Sequence, residues 1–110
     1  MAEIESFHAH IYFDADEIGA ARLLARDAQA LFAASVGSFH ERPVGPHPRG
    51  SCQLTIAPER FGAFALWAAM NRRGLTIFAH ANSGDERADH EEHVVWFGPS
   101  EGLDLSVLDR

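Results

Sequence analysis

Residues 7 to 13, FHAHIYF, alternate without a break between apolar and imidazole or phenol side chains. Successive side chains of a strand point to opposite faces, so Phe7, Ala9, Ile11 and Phe13 share one face and His8, His10 and Tyr12 the other. The apolar face needs a second layer to bury it, which commits the chain to a sheet covered on at least one side. The imidazole face must be solvated, hydrogen-bonded or used.

The residues after Phe13 supply that layer. Asp14 and Glu17 have the spacing of a helix-opening capping box, and Ile18, Ala21, Leu24, Ala28, Leu31 and Phe32 then recur at helical spacing, with Gly37 placed to end the helix in a left-handed turn. The segment 37–50, GSFHERPVGPHPRG, holds three of the five prolines. Its start, SFHER, reads as a short edge strand and its remainder as an extended turn, because proline lacks the ladder donor. SCQLTIA is the next strand, with Cys52, Leu54 and Ile56 on one face. Pro58 suits the first position of a second helix that Gly74 closes. Its apolar stripe of Phe61, Phe64, Ala65 and Ala68 is accompanied by a second set, Leu66, Trp67 and Met70. LTIFAH is a strand with Leu75, Ile77 and Ala79 on one face and Thr76, Phe78 and His80 on the other. A polar loop, ANSGDERADHEE, a short strand in HVVWFG and the tail LDLSVLDR complete the chain.

This order predicts a single α+β domain over residues 1–110: a ferredoxin-like βαββαβ sandwich, with two helices on one face of an antiparallel sheet. The first and third strands are expected to run parallel, side by side, with the fourth antiparallel on the other side of the first. The face away from the helices would carry His8, His10, Tyr12, Gln53, Thr76, Phe78 and His80.

The net charge of −7, with no lysine and nine arginines, argues against nucleic acid as a partner. Apolar runs fall short of the roughly 20 residues of a membrane span, and MAEIESF is no signal peptide, so a soluble cytoplasmic protein is expected. The single cysteine, Cys52, reads as a buried thiol of the core.

The seven histidines are the unusual feature. His8 and His10 open the first strand, His47 precedes the third, and His80 ends the fourth. On the expected topology these three segments meet at one end of the open face. Imidazole is a common ligand of divalent iron, zinc and copper, so a shared metal site is expected there. His40 lies on the edge strand and reads as structural. His90 and His93 sit in the acidic run DERADHEEH, where a solvated charged surface is the plain reading and a functional His90 the sharper one.

The run FHAHIYFD, the turn RPVGPHP, the strand SCQLTI and the segment GLTIFAHANSGDERADHEEHVVWFG together with LDLS resemble the DOPA 4,5-dioxygenase family, from about Phe7 to Ser106. One departure is Ala81, where the family is expected to have proline after the histidine. The resemblance implies a ferredoxin-like fold, a non-haem Fe(II) site and extradiol cleavage of a catechol such as DOPA or a related carboxylated catechol, with O₂ as co-substrate. By position it points at His8, His10, His47, His80 and His90. We expect His10, His47 and His80 as metal ligands and His8 and His90 as acid/base groups, with His8 and His10 able to trade roles. Arg49, Gln53 and Tyr12 are the substrate-binding candidates, Arg49 for a carboxylate. Imidazoles alone do not choose iron over zinc, so another metalloenzyme, such as a zinc hydrolase or isomerase, and a non-catalytic dimeric small-molecule-binding module stand as alternatives. A homodimer is expected, because Tyr12 and Phe78 would be left on an uncovered face and Leu66, Trp67 and Met70 on an extra helical stripe.

Overall fold

A computed structural model describes residues 3–108; both ends of the chain, Met1 with Ala2 and Asp109 with Arg110, lie outside the described residues. The elements are β1 (Ser6–Phe13), a 3₁₀ turn (Ala15–Glu17), α1 (Ile18–Phe32), β2 (Ser35–His40), β3 (Gly50–Ile56), α2 (Pro58–Asn71), β4 (Thr76–Asn82), α3 (Glu86–Glu91), β5 (Val94–Phe97) and a final 3₁₀ turn (Leu105–Leu108). The sheet order is β2-β3-β1-β4-β5, antiparallel throughout. This is the α+β ferredoxin-like sandwich with a fifth strand added beside β4.

The alternation read in β1 places its residues as expected. Ala9, Ile11 and Phe13 join Cys52, Leu54 and Ile56 of β3 and Ile77 and Ala79 of β4 in one core, packed on Ala21, Leu24, Ala25 and Ala28 of α1 and Phe64 and Ala68 of α2. Phe7 stacks on Phe61 at 3.9 Å between ring centroids. The backbone N–H of Asp14 donates to Glu17 Oε1 at 2.8 Å, the returning half of the capping box. Pro58 is the first residue of α2.

Four expectations need correction. β3 runs antiparallel to β1, pairing Phe7 with Ile56 and Phe13 with Gly50. The α1 crossover returns the chain parallel to β1 in β2, and the turn over residues 41–49 then reverses it into β3, so β3 must oppose both neighbours. The end of α1 falls at Ala33, in the left-handed region at φ 56°, whereas Gly37 lies inside β2 beside a register shift between Val36 and Phe39. The polar loop after β4 contains a helix, α3, whose N-cap Asp85 accepts a hydrogen bond from Ala88 N at 3.1 Å. Lastly, the second sheet face is covered within one chain: Tyr12 and Phe78 are both 0% exposed. That removes the uncovered-face argument for a dimer and leaves Leu66 and Met70, at 80% and 85% exposed.

Gly50 tests the packing at the β3 entry. A Cβ there would lie 2.8 Å from Phe13 O and 3.1 Å from His40 O, both backbone atoms, whereas at Gly62 on exposed α2 it would meet nothing within 4 Å. Gly50→Ala should destabilise the fold by about 1–3 kcal/mol, and Gly62→Ala should stabilise it by about 0.5–1 kcal/mol. Urea denaturation of the two variants checks this; equal midpoints would contradict the strand packing described.

Candidate metal centre

The antiparallel pairing of β1 with β4 sets His8 directly opposite His80, and His10 opposite Phe78. With side chains alternating, all four point to the face away from α1 and α2. That face is roofed by the 41–49 turn, by α3 and by the tail. Asp104 N donates to Pro46 O at 2.9 Å, and Arg49 makes a bidentate pair with Glu101, at 3.0 and 2.8 Å, so tail and turn are tied to each other.

Under this roof is a cavity of about 200 Å³ lined by His8, His10, His47, His80 and His90, with Gln53 and Asn82 from the sheet and Glu86 and Asp89 from α3. A larger groove of about 420 Å³, by Phe7 and Val95, is mainly apolar, and His93 is the single imidazole on its wall. The chemistry therefore belongs to the smaller cavity.

His8, His10 and His80 form a trio in which one nitrogen from each ring lies within 4.8 Å of the other two. His10 Nε2 and His80 Nε2 are 3.2 Å apart. Two imidazole nitrogens about 2.0–2.1 Å from one ion at a tetrahedral angle would be separated by about 3.3–3.4 Å, so this spacing is close to that of a shared cation. His80 Nδ1 donates to the Ala81 carbonyl at 3.1 Å, which leaves a lone pair on Nε2 of the neutral ring. His90 packs on His80 at 4.1 Å between centroids, and its Nδ1 donates to Glu86 O at 2.7 Å, leaving its Nε2 free in the same way.

His47 reaches the cavity from the turn, its ring 4.0 Å from that of His10. It stands outside the trio. Its Nδ1 lies 2.8 Å from the Tyr12 hydroxyl. Burial, and secondarily Glu101, raise the Tyr12 pKa, so the phenol keeps its proton and needs an acceptor. With Nδ1 accepting, neutral His47 carries its proton on Nε2 and presents a donor.

Four of these rings, His8, His10, His47 and His80, are held neutral. Burial first, and then the neighbouring imidazoles, push His10 well below the ordinary histidine value. His47 falls to about 4, through burial and then His90 and His80. His80 also falls to about 4, burial outweighing the Ala81 carbonyl that pulls the other way. His8 is lowered by burial and by His90. A neutral imidazole with a lone pair on its inward nitrogen, as His80 has on Nε2, is the protonation state a divalent cation requires.

The remaining expected site residues fall in different places. Gln53 is on the cavity wall. Tyr12 lies beneath His47 and is fully buried. Arg49 lies outside the cavity lining: besides Glu101 its guanidinium meets Asp14 at 3.1 Å and Glu17 at 3.5 Å, so its position is that of a clamp. His40, at the end of β2, is also outside the cavity. His93 pairs with Asp89 at 2.7 Å, and Asp89, 2% exposed, further accepts Ser83 N at 2.7 Å and Ser83 Oγ at 2.6 Å. Sequence reasoning missed this knot, which anchors α3 and with it His90; Ser83 just after a strand, with Asp89 six residues on, was the available signal. Ala81, where the resemblance led us to expect proline, donates its N–H to His93 O at 3.0 Å, a bond that proline could not make. Cys52 is in the core, its thiol pushed up to about 11 by burial.

Fold and site together define a small α+β sandwich with a half-open, imidazole-lined cavity on its second sheet face. The family model described as the Dopa 4,5-dioxygenase family matches residues 7–107. The chain belongs to that family. It is 34% identical to a DOPA 4,5-dioxygenase of Amanita muscaria over 97% of this chain and 51% of the relative, and 38% identical to an uncharacterized 21.2 kDa protein of Botryotinia fuckeliana over 66% and 44%. The chain thus spans about half the length of the curated relatives it matches. Among solved structures, a candidate dioxygenase from Nostoc punctiforme PCC 73102 superposes with a TM-score of 0.92 at 35% identity, covering 96% of this chain and 92% of that one.

The depressed histidines make a prediction for the metal-free protein. Each binds its proton more readily unfolded than folded, so its contribution to stability is complete above about 6.5 and is lost as pH falls towards about 4. In chelator, the urea midpoint should drop steadily between pH 7 and pH 5. A midpoint that holds or rises across that window would contradict the buried neutral cluster.

Proposed function

We propose that this chain is a non-haem iron(II)-dependent extradiol dioxygenase that opens the ring of a catechol such as DOPA. The observation that carries this reading is the His8, His10 and His80 trio on the wall of a roofed cavity, in a chain of the Dopa 4,5-dioxygenase family. The three imidazoles would hold the ion through ring nitrogens. When bound, iron(II) supplies open positions for the two catechol oxygens and O₂, and a route for electron density between them.

The chain's own residues have separable tasks. His90, with a free Nε2 against His80, takes the proton that a catechol hydroxyl gives up. His47, held by Tyr12 in the Nε2–H form, donates to an oxygen of the bound ligand. This exchanges the parts expected of His8 and His47. Gln53 offers an amide to a hydroxyl. The roof, clamped by Arg49 and Glu101, narrows the access of bulk water to the reacting centre. In the overall reaction the ring carbon–carbon bond beside the diol breaks and both atoms of O₂ enter the product, giving a carboxylate at one new end and an aldehyde at the other. A homodimer belongs to the same proposal, carried by exposed Leu66 and Met70 of α2.

The test compares His80→Ala with His40→Ala. After ferrous reconstitution the parent chain should hold about one iron and form a yellow ring-opened product from catechols. His80→Ala should lose about 10–100-fold or more in metal affinity or turnover, while His40→Ala, outside the cavity, should retain both. Equal losses, or no oxygen uptake by iron-loaded parent protein with any catechol, would defeat the reading.

A further inference from the structure

Resting on that reading, the charge of the cavity wall points to the substrate's side chain. Among the described residues no arginine lines the cavity, and lysine is absent from the chain. Arg49, the cation nearest in sequence to the site histidines, has its guanidinium taken up by Glu101, Asp14 and Glu17. A carboxylate on the substrate would therefore meet no cationic side chain on the cavity lining.

The acidic side of the wall is different. Of its two carboxylates, Asp89 is consumed by Ser83 and His93. Glu86 is exposed in the first turn of α3, and its carboxylate makes no hydrogen bond or ion pair among the described residues. The adjacent Arg87 is turned to Glu91, at 2.6 Å. His90 Nδ1 bonds the Glu86 backbone carbonyl, so the residue that carries this carboxylate is fixed to an imidazole of the catalytic cavity. The protein's net charge of −7 adds a field of the same sign.

We infer that Glu86 is a specificity residue that selects catechols whose side chain carries an ammonium group over those whose side chain carries only a carboxylate. The diol enters towards the His8, His10 and His80 trio, and the side chain lies at the α3 side of the cavity. There an ammonium pairs with Glu86, while a carboxylate faces Glu86 and Asp89 with no countercharge on the cavity lining.

The test is anaerobic calorimetric titration of the ferrous-loaded chain, and of Glu86→Gln, with dopamine, 3,4-dihydroxyphenylpropionate and 4-methylcatechol, whose side chain is uncharged. The ratio of dopamine to 3,4-dihydroxyphenylpropionate affinity, each referenced to 4-methylcatechol, is the readout. An exposed ion pair of this kind is worth about 2–5-fold, so the parent should favour dopamine by at least that factor, and Glu86→Gln should lower the ratio by about 2–5-fold. Raising the salt should shrink the parent's preference. A parent preference for the carboxylate, or a ratio unmoved by Glu86→Gln, would overturn the inference while leaving catechol binding intact. Failure of all three catechols to bind the iron-loaded parent would overturn it together with the dioxygenase reading.

Discussion

The antiparallel pairing that puts His8 against His80 is the constraint on which the rest of the site depends. One ladder does two things at once, because period-two alternation sends Ala9, Ile11, Ile77 and Ala79 into the helix-covered core and the imidazoles to the opposite side. A one-residue slip would exchange the two sets and lose both core and site. The register is thus held by the burial of the apolar set, and the histidines are positioned by it.

Placing these imidazoles under a roof has an electrostatic consequence that decides their chemistry. A fall from 6.5 to about 4, as for His47 and His80, disfavours the charged ring by roughly 3 kcal/mol. Near neutral pH His47 and His80 are accordingly lone-pair donors and single-proton carriers, and hydrogen bonds orient the cavity's rings: Ala81 O and Glu86 O accept from Nδ1 of His80 and of His90 respectively, while Tyr12 directs the proton of His47 to Nε2. The roof depends in turn on a few polar ties, Arg49 with Glu101 and Asp89 with Ser83 and His93. These charged residues far from the core shape the site through what they hold in place.

Much of this was legible in the sequence because face and element type are periodic properties. The alternation in β1, β3 and β4, the helical stripes of α1 and α2, and the convergence of His8, His10 and His80 could all be read from spacing. Strand direction is not periodic, and the expected parallel β1–β3 pair failed for that reason; His47 reaches His10 because its turn folds over the sheet. Neither α3, six residues long with a single buried side chain, Asp89, nor the covering of Tyr12 and Phe78 has a local signature. Arg49 illustrates the same gap, since its sequence neighbourhood suggested a ligand site while its partners, Glu101, Asp14 and Glu17, come from elements far along the chain.

The most direct measurement of the central claim is anomalous diffraction at the iron edge from crystals of the chain loaded anaerobically with ferrous iron. The account predicts one peak per chain, within bonding distance of nitrogens of His8, His10 and His80, with His47 still hydrogen-bonded to Tyr12. A peak bound by His47 in place of His8, or located at His93 or His40, would contradict it.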